Sequence, residues 1–256
     1  MKLIQSRDNA FYKQLKKLAE SGRERRKTGL MLLDGVHLVE AYEAAFAAVD
    51  TLVVAESALA NSEIADLLGG REAVLLADGL MRELGLVDTP SGLLAIAAMP
   101  RQTATVDLQA DAILLDGVQD PGNVGTLLRT AAAAGVAQAI LGPGCASPWS
   151  PKVLRAGQGA HFALSVHEEV DLAAFMADYQ GTTAVTTLDR ASSLYEANWS
   201  GPLAWVFGAE GQGVSPQLLA AAGLRIRIPM PGKVESLNVA AAAAVCLFEA
   251  LRRRMN

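Results

Sequence analysis

The chain is poor in cysteine: Cys145 and Cys246 are the only two in 256 residues. They lie far apart, with no His or Cys at metal-ligand spacing, which excludes a disulfide framework and a structural zinc. Aromatic residues make up 5% and charged residues 19% of the chain. No uninterrupted apolar run reaches the roughly 18 residues that cross a bilayer, and the polar, charged N-terminus does not read as a signal peptide. These absences point to a reducing, cytoplasmic setting with neither membrane nor metal among the partners. What is present, 51% hydrophobic residues with 23 Gly and 10 Pro, is ordinary globular composition and excludes disorder and collagen. At roughly 150 residues per domain the length bounds the count between one and two, and two is the expectation.

The net charge of −5 hides an uneven distribution. Residues 1–34 carry +5, residues 35–110 carry −8 and residues 111–256 carry −2. A basic arm on an acidic body reads as a local polyanion contact, with Lys13, Lys16, Lys17, Arg23, Arg25 and Arg26 as its candidates. A merely solvated helix face is the competing reading.

Phe11, Leu15 and Leu18 recur at helical spacing with lysines between them, which predicts a short amphipathic helix. Ser21–Thr28 reads as a charged turn. Then apolar runs at Leu30–Leu33, Leu52–Ala55, Ala73–Leu76 and Leu93–Ala98 alternate with helical stretches Val36–Ala48, Ser62–Leu68 and Gly79–Leu84. That alternation predicts an α/β domain over residues 1–100, with a linker at 101–110. From 111 to 256 strands are predicted at Ala112–Leu115, Gln138–Leu141, Ala163–Val166, Thr182–Thr186, Leu203–Phe207 and Leu224–Ile228. Helices fit at Val124–Ala134, Pro151–Ala156, Leu172–Tyr179, Pro216–Ala222 and Leu237–Arg253. Strands apolar on both faces imply a parallel sheet covered by helices on each side.

In such a sheet, ligands bind at loops leaving the carboxyl ends of strands. Three loops stand out. Asp116–Gly125 holds three glycines and a proline, with Asn123 a candidate helix cap, and Arg129 follows on an otherwise apolar helix. A guanidinium there suits a two-pronged grip on phosphate or carboxylate. Phe207–Ser215 carries glycines at 208, 211 and 213 around Glu210, a spacing that matches neither the dinucleotide fingerprint nor a Walker loop. Ile228–Val239 ends a strand in Pro-Met-Pro-Gly and opens a helix near Ser236 to Asn238, residues that are either caps or a polar cluster.

Together these runs, Asp120–Gly125 with Arg129, Phe207–Gly213, and Ile228–Met230 with Ser236–Val239, resemble the three motifs of the SpoU branch of the SPOUT methyltransferases, the TrmH-like ribose 2'-O-methyltransferases of RNA. Leu33–Glu40 and the Ser6–Asn9 start resemble the L30e-like substrate-binding domain preceding many of them, although Asp34 stands where relatives more often have Glu. The resemblance implies a C-terminal parallel sheet tied in a deep trefoil knot, a homodimer, and S-adenosylmethionine as cofactor. It implies Gly208, Ile228, Met230 and Leu237 around the cofactor, and Asn123, Arg129, Glu210, Ser236 and Asn238 as the catalytic cluster. RNA, most plausibly ribosomal, is then the polyanion met by the basic arm. Transfer RNA, or a non-catalytic RNA-binding assembly module with the same fold, are the alternatives. Arg129 is expected to hold a phosphate, since a guanidinium is a poor base at neutral pH. His37, His161, His167, Cys145 and the three tryptophans are expected to be packing or surface residues, and Arg252–Arg254 to suit a helix C-terminus.

Overall fold

A computed structural model describes residues 2–85, 90–100 and 105–255. It divides into two compact units, Met1–Arg101 with Trp149–Phe162, and Gln102–Pro148 with Ala163–Asn256.

The first unit runs β1 (Lys2–Ile4), α1 (Ala10–Glu20), α2 (Gly22–Thr28), β2 (Leu30–Asp34), α3 (Val36–Ala45), β3 (Thr51–Ala55), α4 (Ser62–Leu68), β4 (Ala73–Leu76), α5 (Asp78–Glu83) and β5 (Leu93–Ala98). Its sheet has the order β1-β4-β3-β5-β2, with β5 antiparallel to both neighbours and the other pairs parallel. The Asn9 carboxamide caps α1 by accepting the N–H groups of Phe11 and Tyr12 at 2.9 and 3.4 Å. Tyr12, Leu15 and Leu18 form its buried face, so Tyr12 takes the inward place expected of Phe11. The charged stretch expected as a turn is the helix α2. It lacks an apolar face and is defined by its ends: the Ser21 hydroxyl accepts the Glu24 N–H at 3.1 Å, and Gly29 closes it at φ +67°. The helix Pro151–Gly157 (α7 in chain order) also clusters with this unit, where Arg155 Nη1 donates to the Asp34 carbonyl at 3.1 Å.

The second unit runs β6 (Ala112–Asp116), α6 (Pro121–Ala133), β7 (Gln138–Leu141), β8 (Ser165–His167), α8 (Leu172–Asp178), β9 (Thr182–Thr186), β10 (Ser192–Ser193), β11 (Leu203–Gly208), α9 (Pro216–Ala221), β12 (Leu224–Arg227) and α10 (Val239–Arg254). All its strand pairs are parallel, in the order β10-β12-β9-β11-β6-β7-β8. Leu114, Ile140, Val185 and Val206 on one face bury against Leu172, Phe175 and Met176 of α8. Of the expected linker, 101–104 lie outside the described residues. Val106 and Leu108 pack on this core, and the Asp107 N–H donates to Gln138 Oε1 at 3.0 Å.

Helix α10 turns small residues inward, with Ala240, Ala243, Cys246, Leu247 and Ala250 buried, and packs against α6. Its last turn is pinned by side chains as well as by the helix dipole. Glu249 accepts from Arg252 and Arg253, Arg253 also lies 4.2 Å over the Trp199 ring, and Arg254 pairs with Asp111. Among the described residues no helix is long and apolar enough to cross a membrane.

Candidate active site

The loops leaving β6, β11 and β12 meet through three side chains. Asp120, followed by Pro121 at the first helical position, caps α6 by accepting the Asn123 N–H at 2.8 Å. Asn123, expected to be that cap, is therefore inside the first turn, and its carboxamide is left for other partners. Its Nδ2 donates to Glu210 Oε1, and its Oδ1 accepts from Asn238 Nδ2 at 3.0 Å. The Glu210 carboxylate can only accept when ionised, so this pairing also sets which way the Asn123 amide faces. Asn238 is itself the cap of α10, its Oδ1 accepting from Ala240 and Ala241 at 2.9 and 3.3 Å. Glu210, Asn123 and Asn238 thus form one hydrogen-bonded chain from β11 through α6 to α10.

Glu210 is held at the tip of a tight turn. The Gly213 N–H donates to the Ala209 carbonyl at 2.8 Å and Gly213 takes φ +69°. The returning backbone passes so close to Gly208 that a Cβ there would lie 2.1 Å from the Gly213 carbonyl, so residue 208 must be glycine.

Two adjoining clefts, of about 150 and 710 Å³, open beside this turn. Ile228 and Met230 line the smaller, Gly208, Glu210 and Asn238 the larger, and Ser236 and Leu237 line both. Gly208, Ile228, Met230 and Leu237 therefore line two clefts that share Ser236 and Leu237 as a common wall. Thr186, Thr187 and Leu188 line both clefts too and escaped the sequence reading. Their one signal is position, at the carboxyl end of the apolar run Thr182–Thr186, since neither threonine nor leucine there announces chemistry. Ser236 is exposed and makes no hydrogen bond among the described residues. Arg129 lies further along α6, exposed and unpaired among the described residues, outside the hydrogen-bonded chain.

The basic arm is less uniform than its sequence. Arg25 is buried, and its Nη1 donates to the Leu18 and Ala19 carbonyls at 2.8 and 3.2 Å. This corrects its expected role: the side chain closes the C-terminal end of α1 and does not face a polyanion. Lys13 pairs with Asp8 at 2.9 Å, and Lys16 lies 3.8 Å from Glu83 and 4.0 Å from Glu20. Lys17, Arg23 and Arg26 are exposed and unpaired among the described residues.

Of the remaining reactive side chains, His37 is exposed beside Glu40 and the others are packed. His161 is buried with its ring 5.6 Å from that of Trp149. Burial pushes the His167 imidazole below its usual pKa and the Cys145 thiol above its own. Cys145 donates to the Leu115 carbonyl at 3.2 Å, and burial pushes the Cys246 thiol up to about 12. Neither thiol is set up as a nucleophile.

The parallel-stranded α/β unit, with its cleft at the carboxyl ends of the strands, has the fold of the SPOUT methyltransferases. The chain belongs to the SpoU rRNA Methylase family, whose profile matches residues 111–248. Residues 9–95 match the MRM3-like substrate binding domain. The chain is 34% identical over 251 residues to the Bacillus subtilis (strain 168) 23S rRNA (guanosine(2553)-2'-O)-methyltransferase RlmP, covering 97% of this chain and 98% of that protein. Among solved structures it is similar to an RNA 2'-O ribose methyltransferase, with a TM-score of 0.86, 30% identity, and 99% and 100% of the two chains covered. It is also similar to the AdoMet-bound rRNA methyltransferase from Sinorhizobium meliloti, with a TM-score of 0.80, 26% identity, and 100% and 98% covered.

Proposed function

We propose that this protein methylates the ribose 2'-hydroxyl of a guanosine in 23S rRNA, using S-adenosylmethionine. The observation that carries the reading is the Glu210–Asn123–Asn238 chain, which ties three loops together beside the larger cleft. The relatives' names supply the substrate class. The cleft suits the cofactor: Gly208 leaves room only for backbone, and Ile228, Met230 and Leu237 offer apolar surface beside main-chain groups. When bound there, S-adenosylmethionine supplies a sulfonium-activated methyl group that the ribose oxygen attacks as the carbon–sulfur bond breaks.

The chain's own residues have three tasks. Asn123, fixed between Glu210 and Asn238, holds in one arrangement the loops that would receive cofactor and ribose, so less ordering would remain when they bind. Ser236 and Asn238 offer hydrogen-bond groups at the mouth of α10. Arg129 grips the phosphate next to the target ribose with its forked guanidinium, and an oxygen of that phosphate takes the hydroxyl proton. The guanidinium itself acts only as a donor, since it carries no acceptor for that proton.

In this reading residues 1–100 form the substrate-binding domain and 111–256 the catalytic one, joined by 101–110, and the protein works in the cytoplasm. RNA meets the exposed cations Lys17, Arg23 and Arg26. The protein acts as a homodimer. The outer face of α10, where Phe248 is 47% exposed, and Met255 just beyond its end, 78% exposed, support a second copy there. The return of α10 onto α6, from a strand three places away from β6 in the sheet, supports the knotted connection.

Transfer of labelled methyl to unmodified ribosomal and transfer RNA, followed by nuclease digestion, tests the proposal. The expected product is 2'-O-methylguanosine in 23S rRNA, absent with Arg129→Ala. Cofactor binding without transfer to 23S rRNA in either free or assembling form would overturn it.

A further inference from the structure

A third cleft, of about 490 Å³, is bounded by the same Ala209–Gly213 turn that bounds the cofactor cleft, and Glu210 lines both. Its volume falls within the roughly 300–1,000 Å³ typical of small-ligand sites. Four glycines, Gly117, Gly144, Gly211 and Gly213, line it, and a Cβ added to any of them would meet nothing within 4 Å. For three of them backbone is reason enough, since Gly117, Gly144 and Gly213 take φ values of +66°, +83° and +69°. Gly211 has no such reason. Its φ is ordinary and no neighbour crowds it, so the missing side chain serves neither conformation nor packing. A side chain there would meet only open space at the cleft.

The polar lining is rich in acceptors. Asp116 uses Oδ2 to accept the Ser215 N–H at 2.7 Å, and Glu210 uses Oε1 to accept from Asn123, which leaves each with a second oxygen unpaired among the described residues. Gln119 and Gln212 are exposed at the cleft, and their carboxamides are likewise unpaired among the described residues. Two adjacent donor groups on one edge, N1–H and the N2 amino group, occur on guanine and on none of the other three RNA bases. A carboxamide can serve the neighbouring O6 as donor.

We propose that this cleft receives the base of the target nucleotide, with Gln119 and Gln212 reading the edge of guanine and Gly211 holding the space it enters. The inference rests on the methyl-transfer reading and adds to it a site for the base. The base leaves its stack to enter, as single-stranded RNA bases do when their edges are read. The ribose then lies at the Glu210 end, where the two clefts share a wall.

The test uses the full chain and two variants, Gly211→Val and Gln119→Ala/Gln212→Ala. Three quantities are measured: melting temperature, affinity for S-adenosylmethionine by calorimetry, and kcat/KM on 23S rRNA. Amide shifts of Gly117, Gly144 and Gly211 are also followed while guanosine 5'-monophosphate or uridine 5'-monophosphate is added to wild type. Expected are unchanged melting and cofactor affinity in both variants, a loss of about tenfold or more in kcat/KM, and glycine shifts with the guanosine nucleotide that exceed those with the uridine one. Gly211→Val methylating like wild type would overturn the assignment and leave the methyl-transfer reading intact. Should wild type methylate no RNA, the methyl-transfer reading fails. The nucleotide titration then decides the cleft alone, and glycine amides that do not move, or move equally with both nucleotides, overturn it.

Discussion

Replacing Asn123 with aspartate keeps the size of the side chain and exchanges its amide nitrogen for a carboxylate oxygen, so a donor facing Glu210 becomes a second negative charge. The lost hydrogen bond is worth about 1 kcal/mol. Two unit charges about 4 Å apart repel by about 1 kcal/mol at the dielectric of water and about 4 kcal/mol at an effective value near 20. Glu210 is exposed and Asn123 half-buried, so the low end applies and the arrangement loses about 2–3 kcal/mol in all. If methyl transfer requires that arrangement, kcat at neutral pH falls about 30- to 150-fold. Asn238 keeps an acceptor in the substituted side chain and still caps α10, so α10 stays in place and the melting temperature falls by at most about 4–12 °C. The sign of the pH dependence follows from like charges: each carboxylate raises the pKa of the other, and the first proton taken up restores a donor between them. The deficit of Asn123→Asp relative to wild type should therefore narrow as pH falls from 8 toward about 5. Single-turnover methylation across that range, with melting curves alongside, is the assay. A kcat near wild type at neutral pH, or a deficit that does not shrink on acidification, would refute the reasoning.

Arg129→Lys retains the charge and loses the fork, so kcat/KM on RNA should drop by about one to two orders of magnitude; turnover near wild type would remove both the two-pronged phosphate grip and any special role for the guanidinium. Substituting Lys17, Arg23 and Arg26 by alanine should weaken RNA binding and reduce the slope of log K against log salt by about 0.7–0.9 per lost phosphate contact. Arg25→Ala should instead lower the melting temperature and leave that slope alone, because its guanidinium is spent on the Leu18 and Ala19 carbonyls. Filter binding at several salt concentrations separates the two outcomes. Hydrogen bonds from Arg252 and Arg253 hold the Glu249 carboxyl down to about 2 from an ordinary 4.5. A depressed carboxyl contributes stability above its unfolded value and loses it as pH falls through the folded one. Wild type should therefore lose stability between pH 4.5 and 2, and Glu249→Gln should lose less over that window. Denaturant midpoints measured against pH check this, and parallel curves for the two proteins would refute it.

How far the fold could be read depended on where its energy resides. Ala73–Leu76 and Leu93–Ala98 are strands at the residues expected from their composition, because strands covered on both faces read as continuous apolar runs. Where apolar burial is not the organising force, periodicity says nothing. The helix α2 is charged along its length and bounded by Ser21 and Gly29. β1 and β10 span three and two residues, and the latter is a pair of serines. The position of the α6 cap was legible and misread: Asp120 before Pro121 is the stronger start, since proline suits the first helical position and Asn123 lies inside the turn. Arg25 shows the opposite case. Nothing in a run of like cations distinguishes the one that the α1–α2 corner buries from those it exposes.

The site divides along the same line. Residue types followed from the motifs, but Asn123 bonds to residues 87 and 115 positions away, and only the sheet order makes those loops neighbours. β6 and β11 are adjacent strands, which puts the loops carrying Asn123 and Glu210 side by side. Asn238 arrives by a different route, because β12 is not next to β6 and α10 must cross back onto α6. Asn238 therefore has two duties, capping α10 and bonding Asn123, and a helix start that slipped by even one residue would lose both. This is why the alanine-rich face of α10 matters to chemistry far from it. Close packing of Ala240, Ala243 and Ala250 sets the depth at which the helix begins, and the helix start sets the third member of the cluster.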